Sequence, residues 1–259
     1  MSYLSESADA IRKELERRPL REGSLALRLR ALPPALDLVG GIGASKASPA
    51  LIGEVRRTSP FPGSIGPAGR EPGQVAEHLA GGGAVAVSVA TEPRFFDGSL
   101  SDVRAVRQRV SVPVLRRDIL IHPAQVLESR VEGADAVVLV TAVLSASELE
   151  TMIALAGELG MAAVAQVHSR AEFDRAVECE APMVLLNARD PETLEVRWEE
   201  ALGVARSHAK RTTLVLEGGI RFRSQVLAAG EAGAKAVLVG TALMRSDPEA
   251  SLRRLMGGA

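Results

Sequence analysis

Lysine and asparagine are the scarce residues of this chain. Of its 31 basic side chains only Lys13, Lys46, Lys210 and Lys235 are lysines, and Asn187 is the single asparagine. A genome whose base composition favours arginine codons accounts for the bulk ratio, but not for the identity of any one arginine. Cysteine is almost absent as well. Cys179 alone cannot form an internal disulfide, reads as a buried structural thiol, and fits a reducing, cytoplasmic compartment. No apolar run approaches the roughly 18 residues that a membrane span needs, and Glu6, Asp9 and Arg12 ahead of any apolar run argue against a signal peptide. A net charge of −1 lacks the basic surplus that nucleic-acid phosphates demand. The four histidines have no metal-ligand spacing, and with one cysteine a zinc site is not expected. Gly40–Gly43 follows no clear strand and precedes no helix, so neither a dinucleotide fingerprint nor a P-loop is read there, and no cofactor is implied.

What the chain does have is repetition. Eight short apolar runs follow one another: Ala50–Val55, Ala84–Val89, Val112–Leu115, Ala136–Val140, Ala162–Val167, Met183–Leu186, Thr213–Leu216 and Ala236–Val239. Continuous rather than alternating apolarity indicates strands buried on both faces, as in a parallel sheet. Amphipathic segments separate them, among them Gln74–Leu79, Ser101–Val110, His122–Val131, Ser147–Leu159, Arg170–Val177, Glu199–Ser207, Phe222–Ala232 and Pro248–Leu255. Eight alternations predict a (β/α)8 TIM barrel over residues 50–259 as a single domain. Residues 1–49 are expected to form an N-terminal helical extension, with a helix over Ala8–Arg18 and a flexible join at Gly40–Gly43.

In such barrels the chemistry sits at the C-terminal ends of the strands. Those ends offer Glu54, Arg56 and Ser59; Arg116, Arg117 and Asp118; Gln166 and His168; Asn187, Arg189 and Asp190; Glu217-Gly-Gly-Ile220; and Gly240-Thr241. Glu54 and Arg56 are two residues apart, so both can point into the mouth. The glycine turns after strands 7 and 8 would present free backbone N–H groups, which suits a phosphate. A phosphorylated small molecule is the expected partner, and the sequence is silent on oligomeric state.

Several of these segments together resemble the indole-3-glycerol-phosphate synthase family: Leu51-Ile-Gly-Glu-Val-Arg-Arg-Thr-Ser-Pro60, Phe95-Phe-Asp-Gly-Ser-Leu100, Val112-Pro-Val-Leu-Arg-Arg-Asp118, Gly133-Ala-Asp-Ala136, Asn187-Ala-Arg-Asp190 and Glu217-Gly-Gly-Ile220. The family's enzymes are carboxy-lyases that close the indole ring of an anilino-deoxyribulose phosphate. A general acid protonates the sugar carbonyl as the aromatic carbon attacks it, and carbon dioxide and water then leave. The resemblance implies that Ser59, Gly218, Gly219, Ile220, Gly240 and Thr241 surround the phosphate, and that Glu54, Asn187 and Glu217 contact the reacting part of the substrate. It also marks departures: the family's two lysines are Arg56 and Arg117, and its fifth-strand glutamate is Gln166. A serine beside the strand-7 glutamate is Gly218, an aromatic residue of the third motif is Ile119, and Phe61 and Pro62 replace a serine and a lysine.

Arginine stays protonated and donates a proton poorly, and Gln166 cannot titrate. Codon usage explains lysine-to-arginine drift but not a carboxylate exchanged for an amide. The expectation is therefore a paralogue with altered chemistry on a similar phosphorylated aryl-amino-sugar. The alternatives are a working synthase of tryptophan biosynthesis and a non-catalytic phosphate-ligand binder.

Overall fold

A computed structural model describes residues 2–17, 22–59, 70–245 and 247–258. Phe61 and Pro62 lie outside the described residues. Helices α1 (Tyr3–Arg17), α2 (Glu22–Leu29) and α3 (Leu38–Gly43) precede β1 (Ala50–Val55). Then follow α4 (Pro72–Gly81), β2 (Ala86–Ala90), α5 (Pro93–Phe96), α6 (Leu100–Arg107), β3 (Val114–Arg117), α7 (Pro123–Val131) and β4 (Ala136–Val140). After a 3₁₀ turn at Thr141–Val143 come α8 (Ala146–Glu158), β5 (Ala162–Val167), α9 (Arg170–Glu178), β6 (Met183–Asn187) and α10 (Trp198–His208). β7 (Thr213–Glu217), α11 (Arg223–Glu231), β8 (Ala236–Val239), α12 (Thr241–Met244) and α13 (Pro248–Met256) complete the order.

All strand pairs are parallel, each strand pairs with the next, and β8 closes on β1 with Ala50 opposite Ala236 and Ile52 opposite Leu238. The expected (β/α)8 barrel is therefore present. Its strands are buried almost throughout, which is why they read as continuous apolar runs. One apolar cluster lies between strands and helices, containing Leu51, Leu79, Val103, Phe173 and Leu214. A second fills the barrel interior with Ile52, Leu115, Val138, Val164, Leu185 and Val215. Leu4 and Ala8 of α1, and Leu38 and Ile42 of α3, belong to that interior cluster.

The N-terminal helices depart from expectation. Gly40–Gly43 is not a flexible join but part of α3, because the Asp37 side chain caps it by accepting from Gly40 N at 2.9 Å while Leu38 and Ile42 bury one face. Helix α1 begins at Tyr3 rather than Ala8. Elsewhere the shifts are small: β3 starts two residues later than its apolar run, and α6 and α8 are capped by Ser99 and Ser145, two residues ahead of the spans read from the sequence. Arg116 is also displaced from the mouth. It turns outward, buried, and donates to Asp118 at 2.8 Å, Ser129 Oγ at 3.0 Å and Thr91 Oγ1 at 3.1 Å.

Candidate active site

Strand alternation sends Arg117 inward where Arg116 points out, and it brings the ends of β1, β3, β5, β6, β7 and β8 around one opening. A cavity of about 250 Å³ is lined by Glu54, Arg56, Ser59, Arg117, Asn187, Glu217, Gly218, Gly219, Ile220, Gly240 and Thr241. Gln166 lies beside it, in a small recess with Ile119 and Asp118 that shares Tyr3, Phe96 and Arg117 with the cavity. The candidate residues thus gather at one mouth from six strands.

Arg117 is the centre of the charge network. Its guanidinium grips Glu217 with two hydrogen bonds of 2.5 and 2.6 Å, donates to Glu54 Oε1 at 2.9 Å and reaches Gln166 Oε1 at 3.2 Å. Glu54 is 1% exposed, so these side chains stand where water would otherwise solvate its carboxylate. Burial alone would lower the Arg117 pKa, but Glu217 and Glu54 together raise it above the ordinary arginine value. Burial pushes the Glu217 carboxyl up, against the pull of Arg117.

Arg56 lies between Glu54 and the β8–α12 turn. Its Nη1 is 3.3 Å from Glu54 Oε2, and its Nη2 donates to Thr241 Oγ1. Burial, and then the nearby Arg117 charge, lower its pKa although Glu54 opposes them. At Gly240 a side chain would run into Glu54 Oε2, so the turn needs glycine to approach the carboxylate. Asn187 Oδ1 accepts from Arg189 N at 2.9 Å, which fixes the β6 end.

His168 is a neighbour of the network. Gln166 Nε2 lies 3.2 Å from His168 Nε2; an amide N–H only donates, so that ring nitrogen accepts and the ring proton sits on Nδ1, 3.3 Å from Glu172 Oε2. The same carboxylate accepts the His168 backbone N–H at 3.0 Å. Burial would raise the Glu172 pKa, but its bonds to His168 bring it below the ordinary value. This chain orients the Gln166 amide with its oxygen toward Arg117.

Among the described lining residues, Tyr3, Phe96, Arg221, Leu238, Val239 and Arg245 were not among the candidates, and Arg189 was read only as a strand-end residue without a role. Arg189 and Arg221 carried a legible signal, since each stands within a few residues of a strand end. Tyr3 carried none, because a helix before the barrel gives no hint of which residue reaches the mouth. Burial, reinforced by Arg56 and Arg221, lowers the Arg189 pKa. Among the described lining residues arginines outnumber carboxylates, which suits an anionic ligand.

A sequence model described as indole-3-glycerol phosphate synthase matches residues 2–255. The chain is 40% identical to the indole-3-glycerol phosphate synthase of Mycobacterium ulcerans over 227 residues, 87% of this chain and 82% of that one. It is 37% identical to the one from Saccharopolyspora erythraea over 262 residues, 99% of this chain and 95% of that one. Among solved structures it resembles a phosphoribosylanthranilate isomerase from Thermotoga maritima, with TM-score 0.58, 16% identity, and coverage of 80% of this chain and 96% of that one. A mandelate oxidase variant gives TM-score 0.60 at 17% identity, over 88% of this chain and 76% of that one. At such identities the structural likenesses speak for the fold alone.

Proposed function

The chain belongs to the indole-3-glycerol phosphate synthase family, and from that membership we propose that it binds a phosphorylated aryl-amino-sugar like the family's substrate while its ring-closure chemistry is altered. The family's reaction is a carboxy-lyase step of tryptophan biosynthesis. In it the aryl carbon bearing the carboxylate bonds to the sugar carbonyl carbon, the carbonyl oxygen is protonated and leaves as water, and the carboxylate leaves as carbon dioxide. Ser59, Gly218, Gly219, Ile220, Gly240 and Thr241 would hold the phosphate, with Arg56 beside them, in keeping with the free N–H groups that such turns present. Glu54, Arg117, Gln166, Asn187 and Glu217 would surround the reacting carbons. The extension and the barrel would work as one domain, in the cytoplasm.

The observation that carries the altered-chemistry reading is the binding of Arg117 to Glu217, Glu54 and Gln166. A permanently charged guanidinium stabilises an oxyanion but is a poor proton donor at neutral pH. Losing one general acid or base typically costs about 10²–10⁴ in rate. The test is calorimetric titration with the anilino-deoxyribulose phosphate, paired with mass detection of products. Tight binding with slow or different turnover supports the proposal. Indole-glycerol phosphate at ordinary enzyme rates would favour the second reading, a working synthase, to which the names of the full-length relatives point. Failure to bind would exclude both.

A further inference from the structure

Tyr3 is the only tyrosine in the chain, and it opens α1. Its ring meets Phe95 edge-on at 5.8 Å and Phe96 at 6.2 Å, which fixes it against α5 at the rim of the barrel. From there it lines both the cavity and the recess beside Gln166. Among the described residues only Tyr3, Phe96 and Arg117 line both spaces, and of these only Tyr3 brings a neutral O–H. Its side chain shares the cavity lining with Arg117, Glu217, Arg56 and Glu54 and the recess with Gln166, which sets it against the charge network. Burial raises its pKa to about 12, which keeps the phenol protonated and able to donate. Among the described residues no hydrogen bond occupies this hydroxyl. The helix is held in place by a buried bond from Ser7 Oγ to Glu92 Oε1 at 3.0 Å, one turn beyond Tyr3, and by Leu4 and Ala8 in the interior cluster.

We infer that Tyr3 is a substrate-contacting residue whose hydroxyl donates a hydrogen bond to the sugar oxygen of the ligand, beside the Arg117 guanidinium. The arginines supply permanent charge and the amides of Asn187 and Gln166 supply dipoles. The phenol adds the neutral O–H donor at the place where the family's lysine chemistry is missing. The inference rests on the phosphorylated aryl-amino-sugar reading above.

A sole tyrosine makes the test direct. Protein labelled with ¹³C at the tyrosine Cζ gives one resonance, which can be followed during titration. The probe is the unreactive analogue of the anilino-deoxyribulose phosphate in which the sugar carbonyl is reduced to a hydroxyl, with inorganic phosphate as control. The resonance should move with the analogue and stay in place with phosphate. Tyr3→Phe keeps the ring and its packing, and should weaken analogue binding about three- to tenfold, the worth of one neutral hydrogen bond, with phosphate affinity and circular dichroism unchanged. A purely structural ring would leave the affinity of Tyr3→Phe at the wild-type value. That result, or analogue binding without movement of the resonance, overturns the inference alone. Binding of phosphate but not of the analogue to the wild type overturns the substrate reading and this inference with it.

Discussion

Arg117 concentrates the question at the scale of single residues. It compensates two carboxylates that are almost wholly buried, so removing it strands them. Arg117→Met should cost about 3–5 kcal/mol of stability, the usual cost of breaking a buried ion pair, measured by urea denaturation at neutral pH. The deficit should shrink as pH falls. Burial already raises the Glu217 pKa above its unfolded value, so the native state takes up the proton first and gains stability as pH drops through that window. Gly218 is a second decisive position. Its φ is +98°, and a Cβ there would lie 2.8 Å from Asn187 Oδ1 and 2.9 Å from Arg189 N. Gly218→Ser, the residue of the family pattern, should therefore destabilise the protein by about 1–3 kcal/mol, seen as a lower thermal midpoint, and should not by itself improve catalysis. The sequence made these substitutions visible as departures from a pattern. It could not show that Arg117 reaches Glu217, Glu54 and Gln166 at once, since those partners are 49 to 100 residues away along the chain.

Elements were legible where burial wrote them plainly. β4 is apolar on both faces, and it and β5 coincide with their apolar runs, because parallel strands between helices bury both sides. Boundaries drifted where a polar residue is part of the strand, as at Arg116 and Arg117 of β3, whose charges are satisfied by partners that only the fold assembles. Helix α3 was illegible because three of its six residues are glycine, and its existence depends on the Asp37 cap and two buried aliphatics. Helix α1 was legible as a helix but not as a wall of the mouth. Its attachment makes a prediction: Ser7→Ala removes the donor to Glu92 Oε1, while Glu92 Oε2 still accepts Phe95 N at 2.7 Å. The loss should be about 1–3 kcal/mol, and hydrogen exchange should quicken in α1 while the barrel strands keep their protection.

The whole molecule is nearly neutral, yet its charges are unevenly placed: among the described residues five arginines and two glutamates line one cavity in a chain of net charge −1. That asymmetry suits a multiply anionic ligand. The barrel has kept the architecture of its family, and the lysine scarcity acquires a location, since none of the four lysines lines the cavity. The central claim, that binding is retained while proton transfer is impaired, comes down to one comparison. Under saturating anilino-deoxyribulose phosphate, the rate of indole-glycerol phosphate formation is measured by indole fluorescence for the wild type and for the combined Arg56→Lys, Arg117→Lys, Gln166→Glu variant. The wild-type rate should be lower than that of the variant by about 10² or more, the usual contribution of a general acid or base. A wild type that turns over as fast as the variant would contradict it.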